Sequence, residues 1–303
     1  MTHYQLVAAN KRRSFYVVFF FMVFIGLAAY LMSYVFELSP SFIGTALIAA
    51  GAMSFGSYWF SDKIILSMSG AKPVSRQEYF DFYTVAENLA SSQRMPLPKL
   101  YVINDSAMNA FATGRDYNHA VVVATSGLLS RLNRSEIEGV IAHELSHIKN
   151  YDMLLMSIVA ILVGFIALLS DWMMRFSISG SGNRDNKSSG GQASMILLII
   201  GFLLMLLSPL IANLVKLAIS RKRELLADAT AVSITKNPSG LIAALSKLDA
   251  DREPLEAANK ATAHLYIKNP LKNHHDAIGW FANLFQTHPP ISQRIAALQG
   301  IQT

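Results

Sequence analysis

Two histidines with an acidic residue between them have the spacing best suited to chemistry, in the run His143-Glu144-Leu145-Ser146-His147. Positions i and i+4 of a helix lie on one face, so both imidazoles can reach one ion, with Glu144 beside it. Zinc suits this spacing and lowers the pKa of a bound water towards about 7, where Glu144 can act on that water. The motif alone also fits two surface histidines on a charged helix face.

A catalytic zinc has three protein ligands and an open fourth position. The chain has no cysteine and only eight histidines, so the third ligand must be His, Asp or Glu. Glu224 is the candidate, in the run Arg223-Glu224-Leu-Leu-Ala-Asp228. Helical spacing stacks Asp228 over Glu224, where the Asp228 carboxylate can accept a hydrogen bond from a ligand imidazole. The alternative is that Glu224 pairs with Arg221 or Lys222 on a solvated face.

The composition indicates a membrane protein, since 52% of the residues are hydrophobic and only 15% are charged. Four stretches are long enough to cross a bilayer, which takes about 20 apolar residues. They run over Phe15–Phe36, about Phe42–Phe60, Met153 to about Leu169, and Met195 to about Val215. The alternative is buried core helices, above all for the last two. The first stretch exceeds the 7–15-residue apolar core of a signal peptide, so we interpret it as a retained anchor.

Basic residues set the predicted orientation. They are concentrated in the N-terminal tail and after the second and fourth spans. The positive-inside rule therefore places both termini and both polar segments in the cytoplasm, and residues 175–194 outside. The net charge of +6 fits loops that face anionic lipid, and we predict no nucleic-acid partner. The predicted division is 1–60 (two transmembrane helices), 61–152 (first part of a cytoplasmic domain), 153–219 (transmembrane hairpin) and 220–303 (second part).

Local signals predict the elements of the polar segments. Two capping boxes open helices: Ser75–Glu78, for a helix to about Ser92, and Ser135–Glu138, for a helix that runs straight into the third span. Strands are predicted at Pro98–Ile103 and Ala120–Ala124, with a short edge strand and turn at Asn109–Gly114. Asn237-Pro238 resembles a helix start, and residues 265–287 carry no clear signal. The antiparallel hairpin 153–219 would bring Glu224 next to His147.

The motif order His143-Glu-x-x-His147, two spans, then Glu224-x-x-Ala-Asp228, resembles the HtpX membrane zinc metalloproteases. These are gluzincins related to the CAAX-processing membrane endoproteases, and the resemblance covers nearly the whole chain. It implies one zinc per chain on His143, His147 and Glu224, with Glu144 as general base and Asp228 supporting a ligand.

The same resemblance assigns two further groups of residues. Asn109-Ala110-Phe111 would pair with the substrate backbone, as in strand addition to a sheet edge; the alternative is an ordinary turn. His288 and Arg294 would stabilise the developing oxyanion; the alternative is that His288 caps a loop and Arg294 binds lipid or solvent.

The expected fold is an α+β integral membrane protein. It has four transmembrane helices and a mostly helical, zincin-like cytoplasmic domain with a small β-sheet.

The expected function is hydrolysis of peptide bonds in misfolded or damaged membrane proteins, at the cytoplasmic face of a bacterial inner membrane. Partners would be protein or peptide substrates and the lipid bilayer, while the oligomeric state is not predicted. Four spans argue against the closed prenyl-peptide chamber of the CAAX-processing relatives. The competing hypothesis is a membrane-anchored structural or sensory zinc protein without proteolytic activity; Glu144 argues against it, because a structural site needs no acid between its histidines.

Overall fold

The computed structural model describes residues 3–35, 39–162, 221–257, 262, 265–268 and 289–300. The helices are α1 His3–Val35, α2 Ser41–Trp59, α3 Ser61–Ser69, α4 Phe80–Ser92, α5 Ser126–Arg131, α6 Arg134–Lys149, α7 Asp152–Leu162, α8 Arg221–Thr235, α9 Pro238–Ala250 and α10 Ile291–Gln299. The strands are β1 Lys72–Pro73, β2 Lys99–Ile103, β3 Ala110–Thr113 and β4 Val121–Thr125, and a 3₁₀ turn spans Tyr117–His119. The chain is thus mostly helical with a small sheet, as predicted.

Helices α1 and α2 pack against each other and expose large apolar side chains on their outer faces. Exposed examples are Phe15, Phe20, Leu27, Ile48 and Phe55. Within the described residues, α2 is the helix that length and composition allow to cross a membrane, and only 17% of its most apolar window is buried. Helix α7 is also apolar but shorter. The prediction of four spans is not confirmed: one of the described helices meets the length and composition of a span, and the fourth stretch and residues 163–169 of the third lie outside the described residues.

Four strands form one sheet in the order β1-β2-β4-β3. Strands β2 and β4 are parallel, with Tyr101 opposite Val123, and the outer pairs are antiparallel. All five residues of β4 are buried, which is why its first four residues are a continuous run of Val and Ala rather than an alternating pattern. Both predicted strands and the predicted edge strand are present within a residue or so of their expected bounds.

The two faces of the sheet divide the molecule into a side that packs on the histidine helix and a side that packs on the apolar helices. Alternate residues point to opposite faces. Val122 and Ala124 pack with α4 and α6, whereas Val121, Val123 and Phe111 pack with α7. The sheet therefore separates the helix that carries the histidines from the apolar helices α1, α2 and α7.

The second half of the chain packs onto α6 through close backbone contact. A methyl group built on Gly139 of α6 would lie 2.8 Å from the backbone of Leu241 in α9. One built on Gly240 would lie 2.6 Å from the carbonyl oxygen of Ser135. Glycine at both positions lets the two helices approach this closely. Asn237 caps α9 as predicted, since its side chain accepts a hydrogen bond from the Gly240 N–H.

Two predicted helix starts are wrong by a few residues. The Ser75 hydroxyl accepts from the Glu78 N–H, but this bond closes a turn, and α4 begins at Phe80 because the Tyr79 backbone is not helical. Helix α6 begins at Arg134, with Asn133 and Glu136 forming the capping box instead of Ser135 and Glu138. The end predicted for α4 at Ser92 is confirmed.

The prediction that α6 runs straight into the third span is also wrong. Helix α6 ends at Lys149, and Tyr151 has a φ of 59°, in the left-handed region that non-glycine residues rarely occupy. The chain then turns into α7, which begins at Asp152. This change of direction places Asp152 near the end of the His143–His147 face.

Candidate metal centre

Helix α6 carries both histidines on a buried face. His143 is 1% exposed and His147 is 4% exposed, so the alternative of two surface histidines is excluded. Their rings are edge to face, and the two Nε2 atoms lie 3.2 Å apart. One turn of helix therefore aims two imidazole nitrogens at the same point.

Helix α8 supplies the carboxylate that completes the cluster. Glu224, Ala227, Asp228 and Ala231 recur at helical spacing on one buried face, and the two alanines allow close approach to α6. Glu224 is fully buried, so the alternative of a solvated ion pair is excluded. The fourth span, predicted at Met195 to about Val215 to lead into this helix, lies outside the described residues.

The three ligand side chains have the separations that a tetrahedral metal ion requires. Glu224 Oε2 lies 3.6 Å from His143 Nε2, and Glu224 Oε1 lies 3.5 Å from His147 Nε2. All the ligand atoms fall within 4.8 Å of one another. Tetrahedral zinc with bonds of about 2.0–2.1 Å needs neighbouring ligand atoms roughly 3.3 Å apart. The donor set therefore fits one zinc ion.

Each histidine is oriented by a carboxylate behind it. Asp228 Oδ1 lies 2.9 Å from His143 Nδ1, which is the contact predicted for Asp228. Asp152 Oδ2 lies 3.2 Å from His147 Nδ1. Because a carboxylate only accepts, each Nδ1 must carry the proton, and each Nε2 is left with its lone pair facing the cluster.

The buried charges around the cluster favour a divalent cation. Four buried carboxylates belong to this set, those of Glu144, Asp152, Glu224 and Asp228. Two guanidinium groups, buried or nearly so, accompany them, those of Arg223 and Arg294. This set leaves a formal excess of two negative charges, which one divalent ion neutralises.

The pKa shifts in the metal-free site show the same attraction for positive charge. Burial lowers the pKa of His147, but Glu224 and Asp152 outweigh it and raise that pKa to about 9. Burial and Arg294 lower the pKa of His143, and the carboxylates of Asp228 and Glu224 reverse the shift to a raised value. The site thus attracts protons when no metal competes for the imidazoles.

Arg294 lies in the same buried network. Its guanidinium makes a two-pronged contact with Asp228, with Nε donating to Oδ2 at 2.8 Å and Nη2 donating to Oδ1 at 2.6 Å. Nη2 is also 3.3 Å from His143 Nδ1, a contact between two donors. The third nitrogen, Nη1, is buried and has no hydrogen-bond partner among the described residues. Arg294 is thus a cation at the site, and the lipid or solvent alternative is excluded, while His288 lies outside the described residues.

Glu144 is adjacent to the first ligand and 3% exposed. Its charge contributes to the raised pKa of His147 and of Arg294, although burial is the largest effect on both groups and acts in the opposite direction. A buried carboxylate at this position is close to both the ligand cluster and the guanidinium.

The segment Asn109–Phe111 begins one residue before β3 and lies at the outer edge of the described sheet. The Ala110 carbonyl oxygen accepts from the Ile267 N–H at 3.0 Å, so this carbonyl faces away from β4. The Asn109 side chain bonds the backbone of Lys268 at both its nitrogen and its oxygen. The ordinary-turn alternative is wrong for Ala110 and Phe111, and four residues from the unassigned stretch 265–287 cover part of the edge.

Sequence reasoning missed Asp152 and its partners. Asp152 is five residues after His147, a spacing that does not share a helix face, so only the break after α6 brings it back to the ligand. Arg223 Nη1 donates to Asp152 Oδ1 at 2.8 Å, and Asn10 Nδ2 donates to the same oxygen at 2.6 Å. No local signal identifies such long-range contacts.

Comparison with known proteins places this geometry in a family. The model of peptidase family M48 matches residues 77–302. The "Protease HtpX homolog" of Dictyoglomus thermophilum is 41% identical over 98% of this chain and 94% of its own length. That of Thermoanaerobacter pseudethanolicus is 39% identical over 99% of this chain and 98% of its own. The crystal structure of Ste24p from S. mikatae matches with a TM-score of 0.48 and 19% identity, covering 97% of this chain and 66% of that one. The chain belongs to peptidase family M48, the metalloproteases, and within it to the HtpX proteases.

Proposed function

We propose that this protein is a membrane-anchored zinc endopeptidase that cuts misfolded or damaged membrane proteins at the cytoplasmic face of a bacterial inner membrane. The observation that carries the proposal is the convergence of His143, His147 and Glu224 on one point, with the Glu144 carboxylate buried beside it. A purely structural site has no use for this extra carboxylate.

His143, His147 and Glu224 would hold the ion. Bound zinc supplies Lewis-acid polarisation of a substrate carbonyl and lowers the pKa of water towards neutrality. Asp228 and Asp152 hold the Nδ1 protons of the two histidines, which keeps each Nε2 available as a ligand.

Glu144 is the general base in this proposal. Its carboxylate takes the proton from the attacking water and passes it to the leaving amine nitrogen. Arg294 is held by Asp228 through Nε and Nη2, which leaves the buried Nη1 to donate to the oxyanion that forms at the substrate carbonyl. His288 would contribute a second donor.

Substrate binding is assigned to Asn109, Ala110 and Phe111. β3 is an edge strand of the described sheet, and main-chain pairing with an extended peptide tolerates many side chains. Tolerance of this kind suits a protease that acts on unfolded segments.

Membrane attachment rests on the outer faces of α1 and α2. Exposed phenylalanine and leucine side chains along α1 would form an unfavourable surface in water and a favourable one in lipid. The four-span topology with cytoplasmic termini follows from the hydrophobic stretches and the flanking basic residues.

The decisive experiment compares two glutamate-to-glutamine variants of the full chain in lipid–detergent micelles. Glu144→Gln is expected to retain one zinc per chain and to lose cleavage of unfolded casein by roughly 10²–10⁴-fold, since it can no longer accept a proton. The matched control is Glu138→Gln, on the same helix but outside the cluster, which is expected to cleave at the wild-type rate.

Two outcomes would contradict the proposal. Cleavage by Glu144→Gln at the wild-type rate would remove Glu144 from the chemistry. A wild-type protein that holds one zinc per chain and cuts no unfolded substrate would instead favour the structural or sensory alternative.

A further inference from the structure

The start of the first helix contacts the break between α6 and α7. Asn10 of α1 is 3% exposed, although many other side chains of this helix are exposed. Its Nδ2 donates to the Asn150 carbonyl oxygen at 2.8 Å and to Asp152 Oδ1 at 2.6 Å. An amide NH₂ has two hydrogens, so both bonds form at once. Both acceptors are oxygens, which fixes the orientation of the amide.

The neighbouring residue of α1 holds the residue between those two acceptors. Lys11 Nζ lies 4.6 Å from the centre of the Tyr151 ring, a cation–π distance. Tyr151 has the left-handed backbone that turns the chain from α6 into α7. Residues 10 and 11 therefore contact three consecutive residues of the break, 150–152, which lie about 140 positions later in the chain.

The break positions a group of the metal site. The two oxygens of Asp152 have different partners. Oδ2 faces His147 Nδ1, and Oδ1 accepts hydrogen bonds from the side chains of Asn10 and Arg223. A carboxylate can rotate about its terminal bond, so the donors on Oδ1 determine where Oδ2 points. The direction of the His147 ring thus depends on the donors behind Asp152.

We infer that Asn10 is a positioning residue of the metal centre, through which the first helix orients Asp152 and hence His147. The inference rests on the proposed function only in taking zinc as the ion. It makes metal affinity depend on a residue at the start of α1, far from the metal ligands in the chain.

A double-mutant cycle tests this chain of contacts. Zinc dissociation constants of the full chain in micelles would be measured by chelator competition for wild type, Asn10→Ala, Asp152→Ala and the double variant. Asp152→Ala is expected to weaken zinc roughly 10–100-fold, and Asn10→Ala roughly tenfold, the low end for groups behind a metal ligand. The double variant is expected to equal Asp152→Ala alone, because Asn10 then has no carboxylate to orient.

The matched control is Ser14→Ala, one turn further along α1. Ser14 is also buried and polar, but its hydroxyl donates to the Asn10 carbonyl oxygen within its own helix. It is expected to bind zinc as the wild type does. The absorption spectrum of bound Co²⁺ provides a second readout, which Asn10→Ala shifts and Ser14→Ala leaves unchanged.

Three results would overturn the inference. The first is that Asn10→Ala has the same zinc affinity and Co²⁺ spectrum as Ser14→Ala. The second is that the losses of zinc affinity in the two single variants add up in the double variant. The third is that the wild-type chain binds no zinc. The last result would also refute the proposed function, whereas the first two leave it intact.

Discussion

Replacing Asp228 by asparagine tests whether the buried charge network stabilises the fold as well as the metal site. Asp228 accepts two hydrogen bonds from Arg294 and one from His143, and both Asp228 and Arg294 are buried. Burial alone raises the pKa of this carboxyl, but Arg294 and His143 outweigh it and lower the pKa from 3.8 to about 2. The ionised carboxylate is therefore more stable in the folded than in the unfolded chain.

The size of the effect follows from that shift. Nearly two pKa units correspond to about 2–3 kcal/mol of stability at neutral pH. Since the folded pKa is the lower one, this contribution is present above about pH 4 and is lost as the pH falls towards 2. The Asp228→Asn substitution would also leave Arg294 buried without its counter-charge, which costs about 3 kcal/mol or more when a buried pair is broken.

The assay is thermal unfolding of the zinc-free protein in micelles at pH 7. A loss of about 3 kcal/mol lowers the melting temperature by roughly 6–12 °C in a domain of this size. Asp249→Asn, at an exposed position on α9, is the matched control and is expected to melt with the wild type. The double variant Asp228→Asn with Arg294→Met removes both charges and is expected to recover most of the loss. The reasoning is refuted if Asp228→Asn melts like the control, or if the double variant melts no higher than Asp228→Asn.

Two further predictions concern packing and orientation. Gly139→Ala is expected to destabilise the protein by about 1–3 kcal/mol, because the new methyl group meets the Leu241 backbone; Gly56→Ala, which meets nothing within 4 Å, should leave the melting temperature nearly unchanged. Equal melting temperatures for these two variants would contradict the close packing of α6 on α9. A reporter enzyme fused after Thr303 is expected to stay cytoplasmic and one inserted after Ser188 to be external; the reverse pattern would contradict the orientation drawn from basic residues.

The ligand set was predictable because its spacing is local. His143 and His147 share a face through helical periodicity alone, and Asp228 lies one turn from Glu224 for the same reason. The absence of cysteine reduced the choice of a third ligand to His, Asp or Glu. The placement of Glu224 beside His147 needed one long-range inference as well, the predicted antiparallel hairpin 153–219.

The errors arose where distant contacts decide local structure. Both Asn133 and Ser135 have a glutamate three residues later, so both patterns predict a helix start. The Ser135 hydroxyl instead accepts from Asn237 Nδ2, and Asn133 takes the cap. No glycine or proline near Tyr151 predicts the break between α6 and α7. Contacts from α1 stabilise this break instead. Asp152 was missed for the same reason.

Residues 265–268, which cover part of the β3 edge, have a consequence for solubility and association. A bare sheet edge invites pairing with other copies of the chain, and proteins usually block such edges with proline, charge or a bulge. Those devices would also repel a client peptide. Here residues 265–268 shield the edge with a few backbone and amide bonds, as between Ile267 and Ala110. If β3 binds substrate as proposed, a shield held by so few bonds would guard against self-association, and an unfolded chain that offers more bonds would displace it.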